Sequence, residues 1–217
     1  MNLELDHVFI LVKSKAKVAD LLIFKGFEEG TQNIHPGQGT ANRRFFFSNG
    51  MLEFIWVRDV AEAANGAGRD LQFLKRDINP DASPFGVILR QKDDVNSQSS
   101  KMPFDGWSYQ PVYFPSPNAF HVGANSTNIF EPLCIYVPFS LPKSLVNKEK
   151  INSSFAISNV CIHVPPTDRN QVLETLDRTD RLSIQYGKEH LMEMVLNDRS
   201  TKKVADFRPE ISLIMYW

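Results

Sequence analysis

At 217 residues, 42% of them hydrophobic and 23% charged, the chain can bury a substantial core in one domain or in two closely packed ones. Its formal net charge of −1 gives no general attraction to nucleic acid or to an anionic membrane, and no apolar run approaches the roughly 20 residues that span a bilayer. The opening strand carries Asp6 and His7, without the basic, apolar and small-residue succession of a signal peptide, so a cytoplasmic protein is expected.

Residues 3 to 12 read as a strand. A helix is expected over residues 15 to 25, with Val18, Leu21 and Leu22 on one stripe and Gly26 near its end. Residues 27 to 31 are short and strand-like. After a Gly-rich turn come strands near 42 to 48 and 51 to 57, joined by Asn49-Gly50, a favoured hairpin turn. Helical turns are expected near residues 60 to 64 and 71 to 76. Strands then follow at 85 to 90, 109 to 114, 119 to 123 and 131 to 137, and in this part residues 93 to 107 stand in place of a helix. That stretch is polar, and residues 95 to 107 are expected to form a mobile loop. The segment 138 to 150 reads as a connection. A last strand–helix–strand series occupies 155 to 164, a helix beginning at Thr167-Asp168, then 182 to 186, 190 to 196 and 209 to 216.

The succession strand, helix, three strands therefore occurs in three passes, the middle one degenerate. The expected fold class is α+β, built of repeated βαβββ units whose curved mixed sheets enclose a cleft. Residues 1 to 138 form two paired units, and residues 151 to 217 form a third packed on the same domain. Aligning Ile157-Ser158-Asn159-Val160 with Leu5-Asp6-His7-Val8 puts Asn159 at the place of His7, and the last strands put Glu210 at the place of Glu53.

Polar groups inside apolar strands mark the candidate site, because a buried unpaired charge costs several kcal/mol. By strand alternation His7 shares a face with Leu5, Phe9 and Leu11, and Glu53 shares one with Ile55 and Val57. An imidazole and a carboxylate suit Zn, Ni, Fe, Mn or Co. Equally, His7 could be a hydrogen-bonded core residue, and Glu53 a buried carboxylate satisfied by Arg43 or Arg44 on the adjacent strand. His121 could add a ligand from a neighbouring strand, and Glu131 opens the strand that matches the one carrying Glu53. Between His7 and Glu53 lies His35-Pro36-Gly37-Gln38-Gly39-Thr40-Ala41-Asn42, which is either a structured turn or a cleft edge. It is no phosphate loop. The chain also lacks the Gly-x-Ser-x-Gly, Cys-x-x-Cys and His-Glu-x-x-His patterns. Cys134 and Cys161 read as small buried hydrophobes rather than a disulfide.

The His7 and Glu53 strands and the His-Pro-Gly…Gly-Thr-Ala-Asn run resemble the vicinal oxygen chelate superfamily, in its glyoxalase-like branch. The match is specific over residues 1 to 58, looser over 59 to 150, and limited to strand order beyond. The resemblance implies a divalent metal held by His7, Glu53 and Glu131, with His121 in place of the ligand missing at Gly86. Phe9, His35, Thr40, Asn42 and Arg44 would line the substrate. The implied activity is metal-dependent lyase, isomerase or ring-opening dioxygenase chemistry on a small molecule with vicinal oxygens. A non-catalytic protein that sequesters such molecules is the alternative. A regulatory domain whose third unit mediates homodimerisation is a further one.

Overall fold

The structure is a computed structural model and describes residues 2–92, 101–139, 151–168 and 170–217. The expected irregular segment lies outside the described residues up to residue 100, and the expected connection from residue 140. The architecture is mixed α+β and mostly strands, in a nine-stranded and a five-stranded sheet. No helix of the described residues is long and apolar enough to cross a membrane.

The larger sheet contains β1 (Leu3–Leu11), β2 (Asn33–His35), β3 (Thr40–Phe47), β4 (Gly50–Val57), β5 (Phe85–Gln91), β6 (Gly106–Tyr109), β7 (Phe120–Gly123), β8 (Leu133–Val137) and the short β9 (Ile151–Asn152). Its order is β2-β3-β4-β1-β5-β8-β7-β6, with β9 on β3. The helices are α1 (Ala19–Phe24), α2 (Val60–Asn65), α3 (Phe73–Ile78) and α4 (Gln171–Asp177). The expected strand at 27 to 31 does not form, and β2 starts at Asn33 instead. The helix after Pro165-Pro166 begins later than Thr167-Asp168. Asn170 caps it, its side chain accepting from the backbone N–H of Val172 and Leu173.

One backbone irregularity decides which side chains face the site. Along β1 and β5, Leu5 pairs Leu89 and His7 pairs Ile88, so Asp6 is an extra residue, a β-bulge. Simple alternation placed Leu5 and His7 on one face, and the bulge separates them. Leu5 enters the main core with Val8 and Ile10. His7 falls in register with Ile88, beside Phe9 and Leu11 of a second cluster.

That second cluster covers one face of the sheet: Phe9, Leu11, Ile55, Ile88, Val122, Leu133 and Ile135 pack under Leu71 and under Phe73 of α3. The opposite face joins α1, α4 and the smaller sheet in one core, with Phe45, Phe54, Phe85, Ile162, Met194 and Leu213 all fully or nearly fully buried. At about 1.5–3 kcal/mol for each large apolar side chain, that shared core holds the two sheets together as a single unit.

The smaller sheet contains β10 (Ile157–Val164), β11 (Leu182–Tyr186), β12 (Leu191–Leu196), β13 (Val204–Asp206) and β14 (Leu213–Tyr216), in the order β11-β10-β12-β14-β13. Its pairing corrects the expectation of a third βαβββ unit. β10 is parallel to β11 and antiparallel to β12, β12 is parallel to β14, and β14 is antiparallel to β13. The strands β4-β1-β5-β8-β7 of the larger sheet pair in that same sense. The smaller sheet thus repeats the centre of the larger one without its outer strands. β10 even carries the same bulge, with Ser158 as the extra residue between Ile157 and Asn159. Glu210 does not match Glu53: it sits exposed in the turn before β14.

Arg181 joins the two sheets. Its guanidinium donates to the carbonyls of Leu5 (2.8 Å) and Asn49 (3.0 Å). Asn49 in turn clasps Ile157, accepting from its N–H and donating to its carbonyl.

Candidate functional site

Six of the residues singled out from the sequence meet at one place. β1 and β4 run parallel with Phe9 opposite Glu53, so His7 lies one alternation away on the same face. β3 lies on the far side of β4 and presents Asn42 and Arg44, while the β2–β3 hairpin sets His35 opposite Thr40. The hairpin turn needs its glycine. Gly39 has φ +72°, and a Cβ there would lie 2.3 Å from the backbone nitrogen of Ala63 in α2.

Glu53, 6% exposed, stands between two imidazoles. His7 Nε2 is 3.7 Å from one carboxylate oxygen and His35 Nε2 is 3.9 Å from the other. Asn42 donates a hydrogen bond to the oxygen on the His35 side. Its orientation is fixed because its Oδ1 accepts from the Asn33 N–H at 2.8 Å. The same amide lies 3.3 Å from His35 Nε2 and can only donate there, so His35 carries its proton on Nδ1, 2.9 Å from Thr40 Oγ1. On the other side, Asp6 Oδ2 lies 2.6 Å from His7 Nδ1. The bulge makes this contact between sequence neighbours possible. The result is a row of groups, Asp6–His7–Glu53–His35–Thr40, hydrogen-bonded at its two ends and more widely spaced about Glu53.

The surroundings shift the two imidazoles in opposite directions. Burial opposes the imidazolium of His7, but the hydrogen bond and charge of Asp6, with the charge of Glu53, outweigh it and raise its pKa. Burial dominates at His35 and, with the positive charges of Arg44 and His7, lowers its pKa against the pull of Glu53. The two imidazoles on either side of the carboxylate are thus shifted in opposite directions. Arg44 is anchored on Thr31, donating to its carbonyl at 2.8 Å and to its hydroxyl at 2.7 Å. Arg43 turns instead to Glu29 and to Asp20, each at 2.8 Å.

Glu131, His121 and Phe9 do not take the places expected of them. Glu131 is buried, but neutral donors surround it: Asn125 (3.1 Å) and Asn170 (2.8 Å) on one oxygen, Asn128 (3.0 Å) and Thr167 (3.3 Å) on the other. It clasps the start of β8 to the approach to α4. His121 is one residue out of phase. Its neighbour Val122 joins the site-face cluster, whereas His121 stacks on Phe104 of the main core and meets the Phe104 carbonyl at 2.8 Å. Phe9 is a wedge rather than a lining residue. A Cβ on Gly86 would lie 2.0 Å from its ring, so the ring fills the place of a ligand side chain on β5. The ring also packs on Phe73 at 5.7 Å.

Sequence reasoning passed over Asp6, whose signal was its place next to His7 at a potential bulge. It also passed over Tyr113, whose ring lies 5.8 Å from that of His35. A further cluster was missed altogether. Among the described residues, Cys161, His163 and Glu193 of the smaller sheet are the one group whose possible metal-ligating atoms lie within 4.8 Å of one another.

No family model and no curated protein matches the chain. Among solved structures, a hypothetical protein from Staphylococcus aureus is similar over 99% of this chain and 98% of its own, with a TM-score of 0.61 and 14% identity. That likeness extends to the fold alone.

Proposed function

We propose that the chain is a small-molecule enzyme of the glyoxalase-like, vicinal oxygen chelate type, working by proton transfer at Glu53. The observation that carries this reading is the line Asp6–His7–Glu53–His35, in which a carboxylate stands between two imidazoles of opposed pKa shift. Its substrate would be a small molecule with adjacent oxygens, one of them a carbonyl. Glu53 would take a proton from the carbon beside that carbonyl, and the electron pair of the broken C–H bond would move onto the carbonyl oxygen. His7, as imidazolium, would donate from Nε2 to the developing oxyanion. Return of the proton to the former carbonyl carbon, with the adjacent hydroxyl giving its proton back to His7, isomerises the molecule, and departure of a leaving group with its bonding electron pair from the carbon beyond makes the reaction a lyase step. Arg44 adds positive charge at the edge of the site.

A divalent metal of the Zn, Ni, Fe, Mn or Co class held by His7, Glu53, Glu131 and His121 does not fit these residues. Glu131 is filled by four neutral donors, His121 belongs to the opposite face, and the Phe9 ring occupies the slot at Gly86. No step is therefore routed through a metal at this site.

A second reading, a protein that binds small oxygenated molecules without turning them over, is favoured by the closure of the cluster, where the side chains of Glu53 and His35 are only 8% and 13% exposed. Deuterium exchange from heavy water into α-hydroxyketones and dicarbonyl adducts, followed by proton NMR, separates the two. Wild type is expected to exchange the proton beside the carbonyl, and Glu53→Gln to slow exchange by about 10²- to 10⁴-fold while binding the same molecules. Equal exchange by both proteins would sink the catalytic role, and binding without any exchange would establish the second reading.

A further inference from the structure

We infer that the outward face of the smaller sheet carries a binding site for a thiophilic divalent cation of the zinc and cobalt class, formed by Cys161, His163 and Glu193. Cys161 and His163 are two apart on β10 and so share a face. Glu193 is the cross-strand partner of Cys161 on β12. Their ligand atoms meet at a single nitrogen: His163 Nε2 lies 3.6 Å from Cys161 Sγ and 2.9 Å from Glu193 Oε2.

That convergence separates a metal site from a nucleophilic triad. In a triad the thiol and the acid bind opposite nitrogens of the imidazole, so that the ring can relay a proton between them. Here both sit on Nε2. The spacing suits a tetrahedral ion. Metal–sulfur and metal–nitrogen distances of about 2.3 and 2.0–2.1 Å put those two atoms about 3.5 Å apart, and nitrogen and carboxylate oxygen about 3.3 Å apart. The first separation is met as it stands. The second requires Glu193 to draw back by a few tenths of an ångström. Glu193 is braced for this, because its other oxygen accepts from the Tyr216 hydroxyl at 2.7 Å, the outer contact that usually orients a ligating carboxylate.

Sulfur and imidazole together favour Zn or Co over Mg, Ca and Mn. The side chains of His163 and Glu193 are 20% and 27% exposed, so the fourth position faces solvent and would hold water. The place also has a counterpart in the larger sheet. Matching the two bulges sets Cys161 on Phe9, His163 on Leu11 and Glu193 on Gly86. The position that is dry and apolar under α3 in one sheet is polar and open in the other.

The test is cobalt titration of the full chain, purified without nickel affinity or chelator. Wild type is expected to take up one Co²⁺ per chain, with a thiolate-to-cobalt band in the near ultraviolet and visible bands of tetrahedral intensity. Zn²⁺ should displace it stoichiometrically. Cys161→Ser should abolish the near-ultraviolet band, and His163→Gln and Glu193→Gln should each weaken binding by at least tenfold. Cys134→Ser and His7→Ala should leave band and stoichiometry unchanged. Circular dichroism and thermal melts on every variant keep a folding defect apart from a lost ligand. No uptake by folded wild type at millimolar Co²⁺, or a band that survives Cys161→Ser, would overturn the site.

Discussion

The two sheets share a pairing scheme and a bulge, yet they use the same central position in opposite ways. In the larger sheet a phenylalanine ring is driven into the space of an absent side chain at Gly86, under a helix, and the polar groups are displaced sideways toward β3 and β4. In the smaller sheet no helix among the described residues covers the matching face as α3 does, and a thiol, an imidazole and a carboxylate gather there. The arrangements differ in topology as well as composition. Around Glu53 the groups form a row, with the two imidazole nitrogens 3.7 and 3.9 Å from its two oxygens. Around His163 they meet at a point, which suits an ion. Fold alone would not have told them apart.

The largest effects should come from breaking the dry position. Phe9→Ala is expected to cost about 3–5 kcal/mol, whereas Cys161→Ala at the matching place should cost about 1 kcal/mol, and urea denaturation of both variants measures the gap. Equal costs would mean that the two positions are packed alike. Gly86→Ala should destabilise by about 1–3 kcal/mol through its collision with the Phe9 ring, and the double variant Phe9→Ala/Gly86→Ala should recover part of that loss. Additive losses would show that the ring is not what fills the slot. Glu193→Ala, which removes the partner of Tyr216 and His163 on the open face, is expected to cost about 0.5–1.5 kcal/mol.

The smallest effects come from the two imidazoles and have opposite signs. The pKa of His7 is raised in the folded state, so its pairing stabilises fully below its ordinary value of 6.5 and ceases to as pH rises through the raised value. That of His35 is lowered, so its contribution is present above 6.5 and disappears as pH falls through the lowered value. His7→Gln should therefore lose more stability relative to wild type at pH 5.5 than at pH 8.5, and His35→Gln the reverse. Two variants with the same pH dependence would remove the charge asymmetry from the site.

Much of the Glu53 cluster was legible in the sequence, since His7, His35, Thr40, Asn42 and Glu53 stand out as polar residues at strand and hairpin positions whose alternation points one way. The rest failed for identifiable reasons. A one-residue phase error sends His121 to the opposite face, and no periodicity argument fixes phase in a strand as short as Phe120–Gly123. The four donors that satisfy Glu131 come from residues as far away as Asn170, which local reading cannot anticipate. The Cys161–His163 pair left a readable trace, two ligating types separated by one residue on a strand, but its third member lies on another strand and emerges only with the pairing register. Three passes of a similar pattern were visible. That the last of them abbreviates both halves of the larger sheet was not, because parallel and antiparallel neighbours leave the same mark on a sequence.

The extra residue at position 6 carries a burden out of proportion to its size. By offsetting β1 it brings Asp6 against His7, while Arg181 grips the carbonyl of Leu5 immediately before it and ties the smaller sheet to the larger. A chain one residue shorter here would be a regular ladder, because Leu5 and His7 already pair with consecutive residues of β5, Leu89 and Ile88, and would keep their faces. The strand would straighten and the Leu5 carbonyl would stay within the register that Arg181 grips, but the carboxylate beside His7 would be gone. Deleting this one residue should therefore disarm the imidazole while leaving the core on either side of it in place.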